Sequence, residues 1–153
     1  MMQKNVFLGL GSNLGNREAY LENAIMRLDA EKEINVLARS EMIETKPIGN
    51  VAQPMFLNMA VEIETALNPR SLLAICLTIE MANDRKRNEK WASRTLDMDI
   101  LFFGELVLDE VGLEIPHPEV ANRRFALAPL AEIAPKFVHP VKKEPVWVML
   151  QQL

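Results

Sequence analysis

The sequence contains one cysteine and no long hydrophobic run, and both features restrict the class of protein. Cys76 has no second cysteine for an intramolecular disulfide, and the chain has no cysteine cluster that could bind zinc or iron–sulfur. A reducing, cytoplasmic environment is therefore expected. The apolar run from Val6 to Leu10 is too short for the core of a signal peptide, so no membrane association is expected.

The chain also lacks excess positive charge. Its formal net charge is -4, which argues against bulk attraction to nucleic acid or to an anionic membrane. Apolar residues form 49% and charged residues 25% of the 153 residues, as in ordinary globular proteins. We expect one domain over residues 1–153, and a monomer, because no sustained heptad or apolar tail demands a partner.

Neither common nucleotide-binding motif is complete. The run from Gly9 to Gly15 resembles a dinucleotide fingerprint, but its last glycine is one residue late. No Gly-Lys-Ser/Thr sequence completes a phosphate-binding loop. These glycines are interpreted mainly as turn formers at the end of a strand.

Hydrophobic periodicity predicts the order strand, helix, strand, strand, helix, strand. The predicted elements are a strand at Val6–Leu10, a helix at Arg17–Lys32, strands at Ile34–Met42 and Phe56–Thr65, a helix capped by Asn68, and a strand at Thr95–Phe103. This order predicts an α+β fold, a ferredoxin-like (βαββαβ) antiparallel sheet with two helices packed on one face.

The rest of the chain is expected to form a C-terminal extension of this core. Gly104 could turn the last strand into a short run over residues 106–108. Prolines from Pro116 to Pro145 limit regular structure, leaving a short helix from about Arg123 and another near Trp147.

Asp97 and Asp99 are two residues apart on a predicted strand, so both carboxylates project from one face. Close carboxylates repel near neutral pH unless a cation or a shared proton compensates. Mg²⁺ suits such a pair, because it combines one or two carboxylates with waters and substrate phosphates. The alternative is an ordinary solvated strand face.

A concentrated basic segment, residues 85–94, precedes the carboxylate pair. Arginine charges beside a metal site are typical of phosphoryl transfer, in which the protein positions the groups and offsets transition-state charge. Arg85, Arg87 and Arg94 have the required chemistry. Without the nearby carboxylates, the segment would be interpreted as a solvated charged loop.

Several planar or polar side chains could bind a flat heterocycle. Trp91 and Phe125 could sandwich such a ring or fill minor core positions. Phe56 and Asn58 share one face of their strand, where Asn58 could hydrogen-bond a ring edge. The alternative for this pair is a half-exposed strand face.

Three further residues could contact a nucleotide. Glu80 lies toward the buried side of the second helix, near its C-terminal end, where the helix dipole disfavours a carboxylate. It could instead pair with a neighbouring basic residue. His117 lies between two prolines and could donate to a phosphate, and Arg123 begins a predicted helix where a phosphate would explain a cation.

Four ordered motifs then show a family resemblance. They are Gly11-Ser12-Asn13-Leu14-Gly15, Gln53-Pro54 with Phe56-Leu57-Asn58, Arg94-Thr95-Leu96-Asp97-Met98-Asp99-Ile100, and Pro116-His117 with Asn122-Arg123-Arg124-Phe125. Together, from about residue 6 to residue 140, they resemble the 6-hydroxymethyl-7,8-dihydropterin pyrophosphokinases. The resemblance implies transfer of pyrophosphate from ATP to that dihydropterin in tetrahydrofolate biosynthesis, releasing AMP.

The resemblance also implies roles for particular residues. Two Mg²⁺ ions would be held by Asp97 and Asp99, and Arg85 and Arg94 match the catalytic arginines. ATP would contact Glu80, Arg87, Ile100, His117 and Arg123. The pterin pocket would be lined by Thr45, Ile48, Phe56, Asn58, Trp91, Asp97 and Phe125.

Three positions depart from the family pattern. Lys46 replaces a frequent proline, Phe56 replaces a common tyrosine, and Pro118 replaces an aromatic residue found in some relatives.

Three alternative functions also remain: an RNA-binding sheet, a regulatory ligand-binding domain and a metal-dependent nucleotide hydrolase. Asp97 and Asp99 on the sheet argue against the RNA-binding alternative, because they would repel a phosphate backbone.

Overall fold

A computed structural model of the chain describes residues 1–46, 54–85 and 95–153. Its elements in chain order are β1 (Gln3–Ser12), α1 (Arg17–Asp29), β2 (Ile34–Arg39), β3 (Ile43–Thr45), β4 (Phe56–Thr65), α2 (Pro69–Ala82), β5 (Asp97–Phe103), β6 (Leu108–Glu110), β7 (Leu113–Ile115), a 3₁₀ turn (Val120–Asn122), α3 (Arg124–Ile133) and α4 (Val146–Gln151). Within these described ranges, no helix is both long and apolar enough to cross a membrane.

The main sheet is antiparallel and has the strand order β2-β4-β1-β5. β3 also pairs with β4, at residues 56–58. The sequence predicted one strand over residues 34–42, but the chain leaves the ladder at Ser40. There the Ser40 hydroxyl accepts the Ala60 amide at 2.9 Å and so replaces a backbone partner. The strand therefore ends at Arg39, and β3 is a separate strand that begins after the predicted segment, at Ile43.

Helices α1 and α2 cover one face of the sheet. The predicted alternation of β4 is confirmed, since its core-facing side chains pack with the buried residues of these helices. This cluster includes Leu57, Met59, Val61 and Ile63 of β4, Leu21, Ala24 and Leu28 of α1, and Leu72, Cys76 and Ile79 of α2. The predicted Asn68 cap is also present, with the Asn68 side chain accepting the Ser71 amide at 2.8 Å.

Helices α3 and α4 cover the opposite face, where the sequence predicted the helices but not their location. Leu127, Leu130 and Met149 pack here against Phe7 and Phe102 of the sheet. Because apolar side chains project from both faces of β1 and β5, each face needs its own helical cover. The expectation that helices lie on one face therefore applies only to α1 and α2.

The turn predicted at Gly104 is confirmed, whereas the strand predicted after it begins later. Gly104 has a φ of +56°, and Leu106 donates to the Phe103 carbonyl at 3.1 Å. The next strand begins only at Leu108 and not at residue 106. Leu108–Glu110 then pairs with Leu113–Ile115 around Gly112, whose φ is +77°. The resulting β6–β7 hairpin lies beside the candidate site.

Candidate functional site

Asp97 and Asp99 lie at the start of β5, the edge strand of the sheet. Both are partly buried and alternate with the buried Met98 and Ile100, so strand geometry places their side chains on one face. Their neighbours on β1 are glycines: Gly11 is opposite Asp97, and Gly9 is opposite Asp99. The glycines add no side chain of their own here; the Asn58 side chain lies against Gly11, and the Leu101 side chain lies against Gly9.

Arg85 follows α2 and turns back onto the beginning of β5. Its Nη1 donates to Asp97 Oδ1 and to the Leu96 carbonyl, each at 2.9 Å. The Arg85 side chain is only 7% exposed, so its charge is little screened by water. Its Nε is buried and has no hydrogen-bond partner among the described residues, which leaves one guanidinium donor unused.

Glu80 lies in the last turn of α2, and its side chain is 3% exposed. Its Oε2 accepts the backbone amide of Met98 at 2.7 Å and lies 3.4 Å from Arg85 Nη1. The predicted orientation toward the buried side of the helix is therefore present. Glu80 joins α2 to the free edge of β5.

His117 is fixed beside β5 by two backbone contacts. Its amide donates to the Leu101 carbonyl at 2.9 Å, and its Nδ1 accepts the Glu119 amide at 3.1 Å. Since Nδ1 is an acceptor, the neutral ring carries its proton on Nε2. Burial, followed by the charge of Arg123, lowers the His117 pKa, while Asp97 and Glu119 oppose this shift.

Arg123 immediately precedes α3, and its guanidinium carbon lies 5.5 Å from the centre of the Phe125 ring. This distance permits a cation–π contact. Arg123, before α3, and Asp97, on β5, both affect the His117 pKa, so the charges of both residues act on the His117 ring.

A cavity of about 290 Å³ lies along the β5 edge beside Asp99. It is lined on one side by Asp99 and Ile100, and on others by Leu73, Leu113 and His117. The sequence did not predict that residues of α2 and of the β6–β7 hairpin would line this cavity. Gly112, between the short runs 108–110 and 113–115, was the available indication of that hairpin.

Three of the residues predicted to bind the pterin, Thr45, Phe56 and Asn58, lie together on the adjacent strands β3 and β4. Thr45 pairs with Phe56, and the Asn58 carboxamide donates to the Thr45 hydroxyl. Gly11 is opposite Asn58 on one side and Asp97 on the other. Because neighbouring strands are about 4.8 Å apart, the Asn58 and Asp97 backbones lie roughly 10 Å apart across Gly11.

Four predicted site residues, Ile48, Arg87, Trp91 and Arg94, lie outside the described residues. Asn13, for which the sequence predicted no individual role, is 1% exposed and donates to the Pro54 carbonyl at 3.0 Å. This bond joins the end of β1 to the chain entering β4. In the sequence, the polar pair Ser12-Asn13 within the glycine run was the signal that could have indicated this link between β1 and β4.

The carboxylate pair is suitable for Mg²⁺. Among the described ranges 1–46, 54–85 and 95–153, no group of three or more histidine, cysteine, aspartate or glutamate residues could hold a metal ion. The Asp97 side chain, however, is 26% exposed, and Asp99 faces the cavity. Oxygen donors on an open strand face match an ion that completes its coordination with water and phosphate oxygens.

These features define a mixed α/β protein whose antiparallel sheet presents a carboxylate pair between a cavity and a polar-aromatic cluster. Residues 7–135 match the family described as 7,8-dihydro-6-hydroxymethylpterin-pyrophosphokinase (HPPK). The chain belongs to this family, which confirms the resemblance found in its motifs.

Two bacterial relatives are named 2-amino-4-hydroxy-6-hydroxymethyldihydropteridine pyrophosphokinase. The protein of Methylorubrum extorquens is 45% identical over 132 residues, covering 86% of this chain and 84% of the relative. That of Bacillus subtilis is 44% identical over 132 residues, covering 86% and 79%.

A solved structure shows the same fold. The crystal structure of wild-type Plasmodium falciparum HPPK-DHPS with pteroate has a TM-score of 0.76 and 15% identity. The match covers 99% of this chain and 42% of that longer chain. At this identity the similarity concerns the fold alone.

Proposed function

We propose that this chain transfers pyrophosphate from ATP to 6-hydroxymethyl-7,8-dihydropterin, giving the pterin diphosphate and AMP in tetrahydrofolate biosynthesis. The central observation is the row Asn58, Gly11 and Asp97 across three strands, with the cavity beyond Asp99. This row supports an acceptor site and a nucleotide site on either side of the carboxylate pair. Family membership supports this activity over the RNA-binding, regulatory and hydrolase alternatives.

The cavity beside β5 is the proposed ATP site. Backbone groups alternate in direction along a strand, so the Ile100 amide points to the same free edge as the Met98 amide that bonds Glu80. His117 can donate its Nε2 proton to a phosphate oxygen, and Arg123 adds a positive charge nearby. Arg87 is proposed as a further ATP contact.

The dihydropterin ring is proposed to lie against Phe56 and Asn58. The Asn58 carboxamide can hydrogen-bond the ring edge, and its contact with Thr45 restricts its orientation. Phe125, Trp91 and Ile48 complete the proposed pocket. Phe56 supplies apolar surface without the hydroxyl of the more common tyrosine.

Asp97 and Asp99 would hold Mg²⁺, with two ions expected when ATP is bound. Bound Mg²⁺ would offset negative charge on the phosphate oxygens. Arg85 brings a buried positive charge to Asp97, and Arg94 is proposed to act with it. Both arginines would offset charge in the transition state.

The proposed reaction forms one bond and breaks another at the β-phosphorus of ATP. The pterin hydroxymethyl oxygen attacks this phosphorus, and the hydroxyl proton is released. The bond from the β-phosphorus to the oxygen that bridges to the α-phosphorus breaks, and AMP leaves. The side chains on the two sides of Asp97 and Asp99 would align the attacking and leaving oxygens.

We also propose that the sheet and helices form one ferredoxin-like domain over residues 1–153, with α3 and α4 as its C-terminal extension. The order β2-β4-β1-β5, with α1 and α2 on one face, supports this arrangement. The chain is proposed to act as a monomer.

The direct test incubates the purified chain with magnesium and ATP, with and without 6-hydroxymethyl-7,8-dihydropterin, and separates the nucleotide products. AMP that forms only with the pterin, in equal amount to pterin diphosphate, is the expected result. ADP as the product, or no product from a folded protein, would contradict the proposal. Chelation of Mg²⁺ should stop AMP formation, and restored Mg²⁺ should recover it.

A further inference from the structure

Glu80 is a buried carboxylate in an unfavourable place. It lies in the last turn of α2, where the helix dipole disfavours negative charge, and the residue is only 2% exposed. Removing a carboxylate from water has a large free-energy cost unless charged or hydrogen-bonding partners compensate. Its partners should therefore indicate its role.

The first partner is the backbone of the proposed metal-binding strand. Glu80 Oε2 accepts the amide of Met98 at 2.7 Å, and Met98 is the residue between Asp97 and Asp99. β5 is an edge strand, and none of the strands in the described part of the chain pairs with its outer amides. Glu80 supplies a charged acceptor there, which fixes the backbone that carries both aspartates.

The second partner is Arg85, which Glu80 shares with Asp97. Arg85 Nη1 lies 3.4 Å from Glu80 Oε2 and 2.9 Å from Asp97 Oδ1. The same nitrogen donates to the Leu96 carbonyl at 2.9 Å. Two carboxylates therefore share the charge of the buried Arg85: Glu80, which faces the protein interior, and Asp97, which is proposed to bind Mg²⁺.

We propose that Glu80 is a positioning residue for the pyrophosphoryl transfer, rather than a direct contact to ATP. It holds the backbone between Asp97 and Asp99. It also shares the charge of Arg85 with Asp97, so that Arg85 neutralises Asp97 less completely and Asp97 stays available to Mg²⁺. The inference rests on the proposed function of this site. Burial of the Glu80 side chain, 3% exposed, leaves little surface for contact with a nucleotide.

Glu80→Gln separates the two contacts. The carboxamide oxygen can still accept the Met98 amide, but the charge that attracts Arg85 is lost. Arg85 should then associate more strongly with Asp97 and compete with Mg²⁺. The expected result is a roughly tenfold or greater rise in the Mg²⁺ concentration for half-maximal rate, with a kcat lower by about ten- to a hundredfold.

Binding of α,β-methylene-ATP provides a readout other than activity, because this analogue cannot be cleaved at the bond that the transfer breaks. For Glu80→Gln, its Kd should be within about threefold of the wild-type value at saturating Mg²⁺ and weaker at limiting Mg²⁺. A direct contact between Glu80 and ATP would instead weaken binding by roughly tenfold or more at every Mg²⁺ concentration.

Cys76→Ala is the matched control, because Cys76 is buried on α2 one turn before Glu80. Cys76→Ala should lower the unfolding temperature without changing the Mg²⁺ dependence of the rate.

Combining Glu80→Gln with Arg85→Met tests whether Glu80 acts through Arg85. When Arg85 is already replaced by methionine, adding Glu80→Gln should lower the rate by less than about threefold, because Glu80 is proposed to act through Arg85 and the two effects are not additive.

An unchanged Mg²⁺ dependence in folded Glu80→Gln, or a uniform loss of analogue affinity, would overturn the positioning role. If Glu80→Gln does not fold, Glu80→Asp is the second variant: its shorter side chain withdraws the carboxylate from both Met98 and Arg85, so it should show the same Mg²⁺-dependent defect. Failure of the wild-type chain to form AMP would contradict the proposed function separately, because analogue binding is measured without turnover.

Discussion

The Asn58 carboxamide oxygen lies 2.7 Å from the position that a β-carbon on Gly11 would occupy. The two residues are opposite each other on β4 and β1. A methyl group at residue 11 would therefore collide with the amide group that is proposed to bind the pterin. Glycine at this position allows Asn58 to lie flat over β1.

Gly11→Ala should raise the KM for the dihydropterin by roughly tenfold or more, because Asn58 must leave its place and such crowding costs about 1–3 kcal/mol. Steady-state rates with varied pterin at saturating ATP provide the measurement. Gly9→Ala is the matched control, since its added carbon would meet the Leu101 side chain at an ordinary 3.4 Å. An equal rise in KM for both variants would refute the specific role of Gly11.

Asp97→Asn should lower kcat by about 10³-fold or more while the protein remains folded. The variant keeps an oxygen for Arg85 but removes the charge proposed to hold Mg²⁺, and such metal stabilisation contributes several kcal/mol. AMP release measures the rate, and circular dichroism checks the fold. Asp109→Asn, on the exposed face of the β6–β7 hairpin, should retain full activity. A kcat for Asp97→Asn near that of the control would contradict the metal assignment.

Local geometry made the carboxylate pair and the β4 core face predictable. Alternation along a strand places residues two apart on the same side, whatever the rest of the fold. The Asn68 cap was likewise predictable, because its side chain bonds an amide three residues away. Each of these features depends on neighbours in the sequence.

The partners of the same residues could not be predicted, because they depend on strand register and helix placement. The position of Gly11 between Asn58 and Asp97 requires both pairings of β1. The bond from Glu80 to Met98 requires α2 to end beside the β5 edge. Sequence patterns therefore identified the chemical groups, whereas tertiary structure determined which groups meet.

Asn68→Ala should lower the free energy of unfolding by about 1 kcal/mol, because the first turn of α2 loses the side-chain acceptor for the Ser71 amide. Urea unfolding followed by far-UV circular dichroism is the measurement. Asn68→Asp retains an acceptor oxygen and is expected to preserve most of the stability. Equal losses in the two variants would argue against the capping role.

His139 should make stability dependent on pH. The residue is 7% exposed, and its Nδ1 accepts the amides of Val141 and Lys142, each at 3.1 Å. Burial, followed by the charge of Lys142, lowers its pKa, against the opposing effect of Glu144. The folded protein therefore favours the neutral ring, because protonation would remove the acceptor.

The sign of the pH effect follows from the protons bound in each state. Below about pH 6.5 the unfolded chain binds a proton at His139 that the folded chain does not, until the lowered folded pKa is reached. The His139 contribution is complete above about pH 6.5 and decreases as pH falls, with a slope of at most about 1.4 kcal/mol per pH unit. His117, whose pKa is also lowered, should add to the same slope.

His139→Gln should remove the His139 part of this slope, because glutamine does not titrate. The free energy of unfolding in urea, measured from pH 5.5 to 7.5, should then decrease less with acidification than in the wild type. His117→Gln is the matched control and should remove only its own part, so that the double variant is nearly flat in this range. A wild-type slope retained in His139→Gln would show that the ring does not titrate differently in the folded and unfolded states.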